Sequence, residues 1–110
     1  MDCRLPITKI IPVGVEAEFV DVDIACTYLV RNTGGQHISI RNNGALQVKA
    51  TVICQRTMEE LEIEDRKITV PAGKSKVAGP FLKTAFNDPY GDVHIEFDGD
   101  DNVSIAVFEY

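Results

Sequence analysis

Hydrophobic and polar residues alternate with a period of two along much of the chain. His37-Ile38-Ser39-Ile40-Arg41 does so cleanly, as does Gln47-Val48-Lys49-Ala50-Thr51-Val52. Val93, Ile95 and Phe97 fall on one side of a third such run, His94 and Glu96 on the other. A period of two places alternate side chains on opposite faces of a β-strand, whereas a helix would repeat at 3.6. Turn signals break the pattern at short intervals: Asn32-Thr33-Gly34-Gly35, Asn42-Asn43-Gly44, Pro71-Ala72-Gly73, Gly79-Pro80, Asn87-Asp88-Pro89-Tyr90-Gly91 and Asp98-Gly99-Asp100. Their spacing, roughly eight to twelve residues, is that of an all-β sandwich or barrel.

The predicted architecture is therefore all-β: a single antiparallel β-sandwich, jelly-roll-like, of about seven to nine short strands. Its core is expected to hold Ile38, Ile40, Val48, Ala50, Val52, Ile68, Val70, Phe81, Val93, Ile95, Phe97, Ile105 and Val107. Asn43-Gly44 tolerates the positive φ angles of a type I′ turn, so residues 37–54 read as a hairpin. Ile7 to Val13 is β-branched and broken by Pro12, which suits an edge strand or a strand end. Short strands are also expected at Glu18 to Val22 and at Tyr28 to Val30. Thr57 to Glu64 has some helical colour, but Glu59, Glu60, Glu62 and Glu64 lack lysine partners within the segment, and Leu61 and Ile63 alternate with the acids. Strand is favoured there. Residues 1–110 make one domain, with 1–6 as an N-terminal arm.

The final strand does not fit a simple half-buried pattern. Val103, Ile105 and Val107 occupy one face, and Ala106, Phe108 and Tyr110 the other. A strand with one wet face should be polar there. Either a loop of the same chain covers the second face or a neighbouring subunit does, since aromatic residues with a polar handle are enriched at interfaces. On the second reading Ala106, Phe108 and Tyr110, helped by Leu5 and Pro6 of the arm, are the partner-contact residues.

Composition narrows the function. The chain has 110 residues, 45% hydrophobic and 25% charged, with 17 acids against 11 bases and a formal net charge of −6. Nucleic-acid binders draw affinity from a basic surplus, so nucleic acid is not an expected partner. No apolar run approaches the ~18 residues of a membrane helix and no signal-like segment opens the chain, so neither a membrane nor Sec export is expected. The charge is uneven: residues 84–110 hold seven acids and no Lys or Arg, and residues 1–83 are close to neutral. This is either a solvated acidic edge or one end of a bipolar molecule that meets a basic patch on a neighbour.

Candidate chemistry is sparse. Cys3, Cys26 and Cys54 are odd in number, with no Cys-x-x-Cys, which argues against a disulfide framework or a zinc site and for a reducing environment. Cys54 falls in phase with Val48, Ala50 and Val52 as a small core residue. Asp98, Asp100, Asn102 and Glu109 occupy positions 1, 3, 5 and 12 of an EF-hand loop, but Val103 stands where that loop needs Gly. A tight acidic turn between two strands is the expectation, and no metal or other cofactor. His37 and His94 sit at outward strand positions without a Ser or Cys nucleophile at a neighbouring turn, and Gly34-Gly35 lacks the rest of a phosphate-binding loop. No catalytic residue is expected and the protein is not expected to be an enzyme.

Ile7 to Ala17, Val70-Pro71-Ala72-Gly73, Gly79-Pro80-Phe81, Phe86-Asn87-Asp88 and Gly91 to Asp98, followed by a last strand ending in an aromatic residue, occur in an order that resembles small β-sandwich virion structural proteins of tailed bacteriophages and prophages. The resemblance spans most of the chain but rests mainly on turn chemistry. It implies a non-enzymatic subunit in the virion, made in the host cytoplasm. Its role would be a capsid decoration or cement protein that binds and stabilises the shell of major capsid protein. The alternative is a head–tail connector, neck or tail-completion protein that forms a ring. Homo-oligomerisation on the particle and contact with neighbouring virion proteins would follow. A carbohydrate- or protein-binding sandwich module is a third reading, ranked lower because the chain has no Trp and only three Tyr.

Overall fold

The computed structural model describes residues 2–55, 57–58, 61–62 and 65–109. The alternating segments form β1 (Asp2–Arg4), β2 (Ile7–Lys9), β3 (Val20–Asp21), β4 (Thr27–Arg31), β5 (Gln36–Asn42), β6 (Val48–Val52), β7 (Thr57–Met58), β8 (Leu61–Glu62), β9 (Arg66–Val70), β10 (Ser75–Ala78), β11 (Asp92–Phe97) and β12 (Val103–Glu109). A single helical turn, α1 (Lys83–Phe86), precedes β11 and buries Ala85 and Phe86. The sequence reading did not anticipate it, because four residues are too few to show a period. Sheet I runs β1-β4-β11-β6-β9, and sheet II runs β10-β5-β12-β2 with β3 also on β12. The expected strand over Thr57 to Glu64 appears as the small antiparallel pair β7–β8. Glu59, Glu60, Ile63 and Glu64 lie outside the described residues.

The two sheets face each other across one core, as the alternation predicts. Ile38, Ile40, Ile105 and Val107 of sheet II meet Val48, Ala50, Val52, Val93 and Ile95 of sheet I in a single buried cluster. Ile68, Val70, Phe81 and Phe97 complete it, so every expected core side chain is buried. Tyr28 joins them, edge-on to Phe97 at 5.8 Å between ring centroids, with its hydroxyl accepting the Asp23 N–H at 2.7 Å.

Connections differ from the sequence expectation. β5 and β6 do not pair as a hairpin. They lie in different sheets, joined by an arch over residues 43–47. The same is true of β9 with β10 and of β11 with β12, so the acidic turn 98–102 also crosses between sheets. Alternation states which side chains must be buried. A strand satisfies it equally well beside its neighbour or opposite it. Asn42 fixes the choice. Its side-chain amide is fully buried and donates to the carbonyls of Leu46 at 2.8 Å and Val70 at 3.0 Å, while its oxygen accepts the Gly44 N–H at 3.0 Å. A Cβ on Gly44 would collide with the Asp101 carbonyl oxygen, so the two arches pass each other only because position 44 has no side chain.

Pairing is antiparallel except at two edges. β1 lies parallel to β4 and β2 parallel to β12, so the sheets are mixed rather than purely antiparallel. Leu5-Pro6 carries the chain from the edge of sheet I to the edge of sheet II, and the long returns that parallel pairing needs are supplied by the changes of sheet. Residues 2–6 are not a loose arm. β1 is hydrogen-bonded into sheet I, the Leu5 N–H donates to the Leu29 carbonyl at 3.0 Å, and the Leu5 side chain, 4% exposed, belongs to the core.

Candidate functional site

β12 places Val103, Ile105 and Val107 in the core and turns Ser104, Ala106 and Phe108 to the outer face of sheet II. Ala106 is only 2% exposed, although it stands apart from the core cluster. Its cover comes from the same chain. β2 ends beside Glu109 and β3 begins beside Ile105 on the same edge of β12, so residues 10–19 must travel back along that strand. At one end of this segment Ile10 reaches the outer face. At the other, the Phe19 ring lies 3.9 Å beneath the Arg41 guanidinium. Ala106 is therefore closed off within this chain.

Phe108 is different. It is half-buried and lines a pocket of about 270 Å³ with Ile10, His37 and Val77. Val77, on the edge strand β10, is 71% exposed, and Ile11, Val13 and Val15 continue the apolar character along the loop, with Val13 91% exposed. An apolar run from Ile10 to Val15 between two strands, where a polar turn is usual, was the sequence signal for this surface. Among the residues expected to contact a partner, Phe108 thus borders an open apolar surface and Pro6 is exposed, while Leu5 and Ala106 are buried within this chain. Tyr110 lies outside the described residues.

A second cluster occupies the outer face of sheet I. Arg4 of β1 donates two hydrogen bonds to the Asp92 carboxylate, at 2.9 and 2.8 Å. Arg31 of β4 lies 3.7 Å from the same carboxylate and donates to the Tyr90 carbonyl at 2.6 Å. Asp88, in the preceding turn, accepts the N–H groups of Tyr90 and Asp92 and meets His94 Nε2 at 2.7 Å. The Arg4 hydrogen bonds hold the Asp92 carboxyl below the usual carboxylate range against the opposing effect of burial. Burial pushes Asp88 up, but its donors from Asp92, His94 and Tyr90 outweigh it and the net shift is downward. The cluster draws β1, β4 and β11 together at one corner. No local pattern pairs Arg4 with Asp92, which are 88 residues apart.

Cys3 and Cys26 form a disulfide that ties β1 to the residue before β4, which corrects the expectation of reduced cysteines. One bridge and one remaining cysteine are as compatible with an odd count as three thiols are. Cys54 is partly buried, with its sulfur 3.4 Å from the Ala85 carbonyl. In the acidic turn, Asp98 accepts the Lys49 N–H at 2.7 Å and Asp100 the Ile24 N–H at 3.2 Å. These carboxylates brace backbone donors of neighbouring segments, and among the described residues no three His, Cys, Asp or Glu side chains gather as metal ligands. Comparison with protein-family models, curated proteins and solved structures finds no match to this chain.

Proposed function

We propose that this chain is a bacteriophage virion structural protein, a capsid decoration or cement subunit that stabilises the shell of major capsid protein from outside. The observation that carries the reading is the open apolar surface of sheet II, where Phe108, Ile10 and Val77 border a pocket and Ile11, Val13 and Val15 extend it. A small rigid sandwich with such a surface suits a subunit whose task is to hold neighbours together. The Cys3–Cys26 disulfide supports a final location at a virion surface, where such bonds persist even though synthesis takes place in the host cytoplasm. No catalytic step is part of this reading.

Burying Phe108 at a packed contact contributes ~2 kcal/mol per copy. Phe108→Ser should leave the isolated protein folded by circular dichroism and remove it from particles. A large fall in the melting temperature of the isolated variant would place Phe108 in the internal core instead. Quantitative gel densitometry of purified virions distinguishes the alternatives. Copy numbers comparable to the capsid protein support decoration, a few copies per particle support a neck or tail-completion ring, and absence from particles leaves a non-enzymatic binding module.

A further inference from the structure

The backbone of the edge strand β10 has a fixed sidedness. Its rows with β5 run Ser75–Arg41, Lys76–Ile40, Val77–Ser39 and Ala78–Ile38. One row earlier, the Asn42 N–H donates to the Lys74 carbonyl at 2.9 Å. Hydrogen-bonded rows alternate with unbonded ones in an antiparallel pair. Lys76 and Ala78 therefore spend their N–H and C=O groups on β5, and Ser75 and Val77 aim theirs away from the sheet. The same alternation holds across β12: Val103 and Glu109 face away from β5, and their carbonyls accept the Val22 and Ile10 N–H groups. β10 ends sheet II, and among the described residues no hydrogen bond from another segment reaches Ser75 or Val77. Val77 also walls the apolar pocket with Ile10, His37 and Phe108. In the row of His37 and Phe108 the chain beyond β10 has reached Gly79. This residue lies against the Gln36 and His37 backbone and carries no side chain.

β10 and its flanks carry only positive charge. Residues 66–87 contain Arg66, Lys67, Lys74, Lys76 and Lys83 and no acid. Lys74 and Lys76 are exposed on either side of Ser75, and Arg41 stands in the Ser75 row. Of the neighbouring acids, Asp65 accepts the Cys54 N–H and Glu109 accepts the Gln36 side-chain amide. Glu16 and Glu18 belong to the segment along the opposite edge of β12. We infer that β10 takes up an extended segment of a partner protein as a further strand of sheet II. A large apolar side chain of that segment enters the pocket, and acidic side chains at the alternate positions meet Lys74 and Lys76. This rests on the reading of this face as the contact surface and states the form of what docks there. Unspent N–H and C=O groups in register are answered together only by another strand, and a pocket beside them selects its side chains. Lysines on an edge strand commonly keep it from pairing. Acids opposite them turn that cost into a favourable cross-strand pair.

The probe is a blocked peptide of alternating glutamate and leucine, added to the isotope-labelled full chain and read by amide hydrogen exchange. Without peptide, the Ser75 and Val77 amides should exchange much faster than those of Lys76 and Ala78. Peptide at about 1 mM should slow Ser75 and Val77 at least about tenfold. Val77→Pro removes an N–H that bonds nothing in β5, so the variant should keep its circular dichroism and lose the peptide. Lysine in place of glutamate, or Lys74→Ser with Lys76→Ser in the protein, should weaken binding about tenfold at low salt, and the gap should narrow at about 0.5 M salt. No slowing at Ser75 and Val77 overturns the proposal. So does equal binding of a peptide N-methylated along its backbone, which would mean a side-chain contact without a new strand. Equal or tighter binding by the lysine-free variant overturns it too, marking Lys74 and Lys76 as guards of the edge. Protection at Ser75 and Val77 that grows with protein concentration alone would put a second copy there instead. Peptide binding by a chain absent from virions leaves this inference standing and rejects the virion reading, and a chain abundant in virions that ignores the peptide does the reverse.

Discussion

The buried amides at the ends of β4 and β5 show how single residues hold this fold. Asn32 donates to the Phe81 carbonyl at 3.0 Å and to Asn87 at 2.7 Å. Gln36 donates to Glu109 at 2.8 Å and accepts the Thr33 N–H at 2.7 Å. Asn42 serves three backbone groups at once. A buried polar group left without its partner costs the full desolvation penalty. Asn42→Ala should therefore lose about 3 kcal/mol in urea denaturation, because it strands several groups rather than one. Gly44→Ala should lose ~2 kcal/mol by forcing two backbone segments apart. Asp92 gives a pH test. Its folded pKa lies below the unfolded value of about 3.9, so the stability it contributes is present above that pH and is lost as pH falls through the folded value. Asp92→Asn should melt lower than the unaltered protein at neutral pH, and the gap should close as the solution is acidified below about pH 4.

Among the elements, β1 depends most on tethers. It is three residues long and pairs with one neighbour only. The disulfide at Cys3, the bidentate Arg4–Asp92 pair and the buried Leu5 hold it in sequence from one end to the other. Cys3 and Cys26 are separated by 23 positions. Closing a loop of that size restrains the unfolded chain by about 3 kcal/mol. Reduction, or the double change of Cys3→Ser with Cys26→Ser, should lower the urea stability by about that amount. Alkylation of the non-reduced protein under denaturing conditions should label Cys54 alone, and labelling of all three cysteines would remove the disulfide from the account.

For the whole molecule, the consequence of the arches is long-range contact. Among the described residues, apart from the small β7–β8 pair, no strand pairs with its neighbour in sequence, so few contacts form between near neighbours in the chain. Topologies of this kind fold slowly, because loop closure precedes the contacts that reward it. Stopped-flow refolding should give a main phase in milliseconds to seconds rather than microseconds. The same topology leaves an apolar surface exposed around Ile10, Val77 and Phe108.

How much of this was legible in the sequence follows from what each signal encodes. Ile38 and Ile40, Val48 to Val52, Val93 to Phe97 and Ile105 to Val107 announced themselves, because a period of two depends on local backbone geometry and on which face is buried. That determined the all-β class and the core. Alternation carries no information about the strand opposite, so the Asn43-Gly44 hairpin was replaced by an arch, and the parallel edges of β1 and β2 were not foreseen. The Arg4–Asp92 pair, the Cys3–Cys26 bridge and the pocket among Ile10, His37, Val77 and Phe108 join residues distant along the chain. Only the packing of the sheets brings such groups within reach. The sequence by itself determined which side chains must leave water. The tertiary structure decided which of them meet, because hydrophobic burial is non-directional and the directional choices are made by hydrogen bonds and close contacts such as those of Asn42 and Gly44.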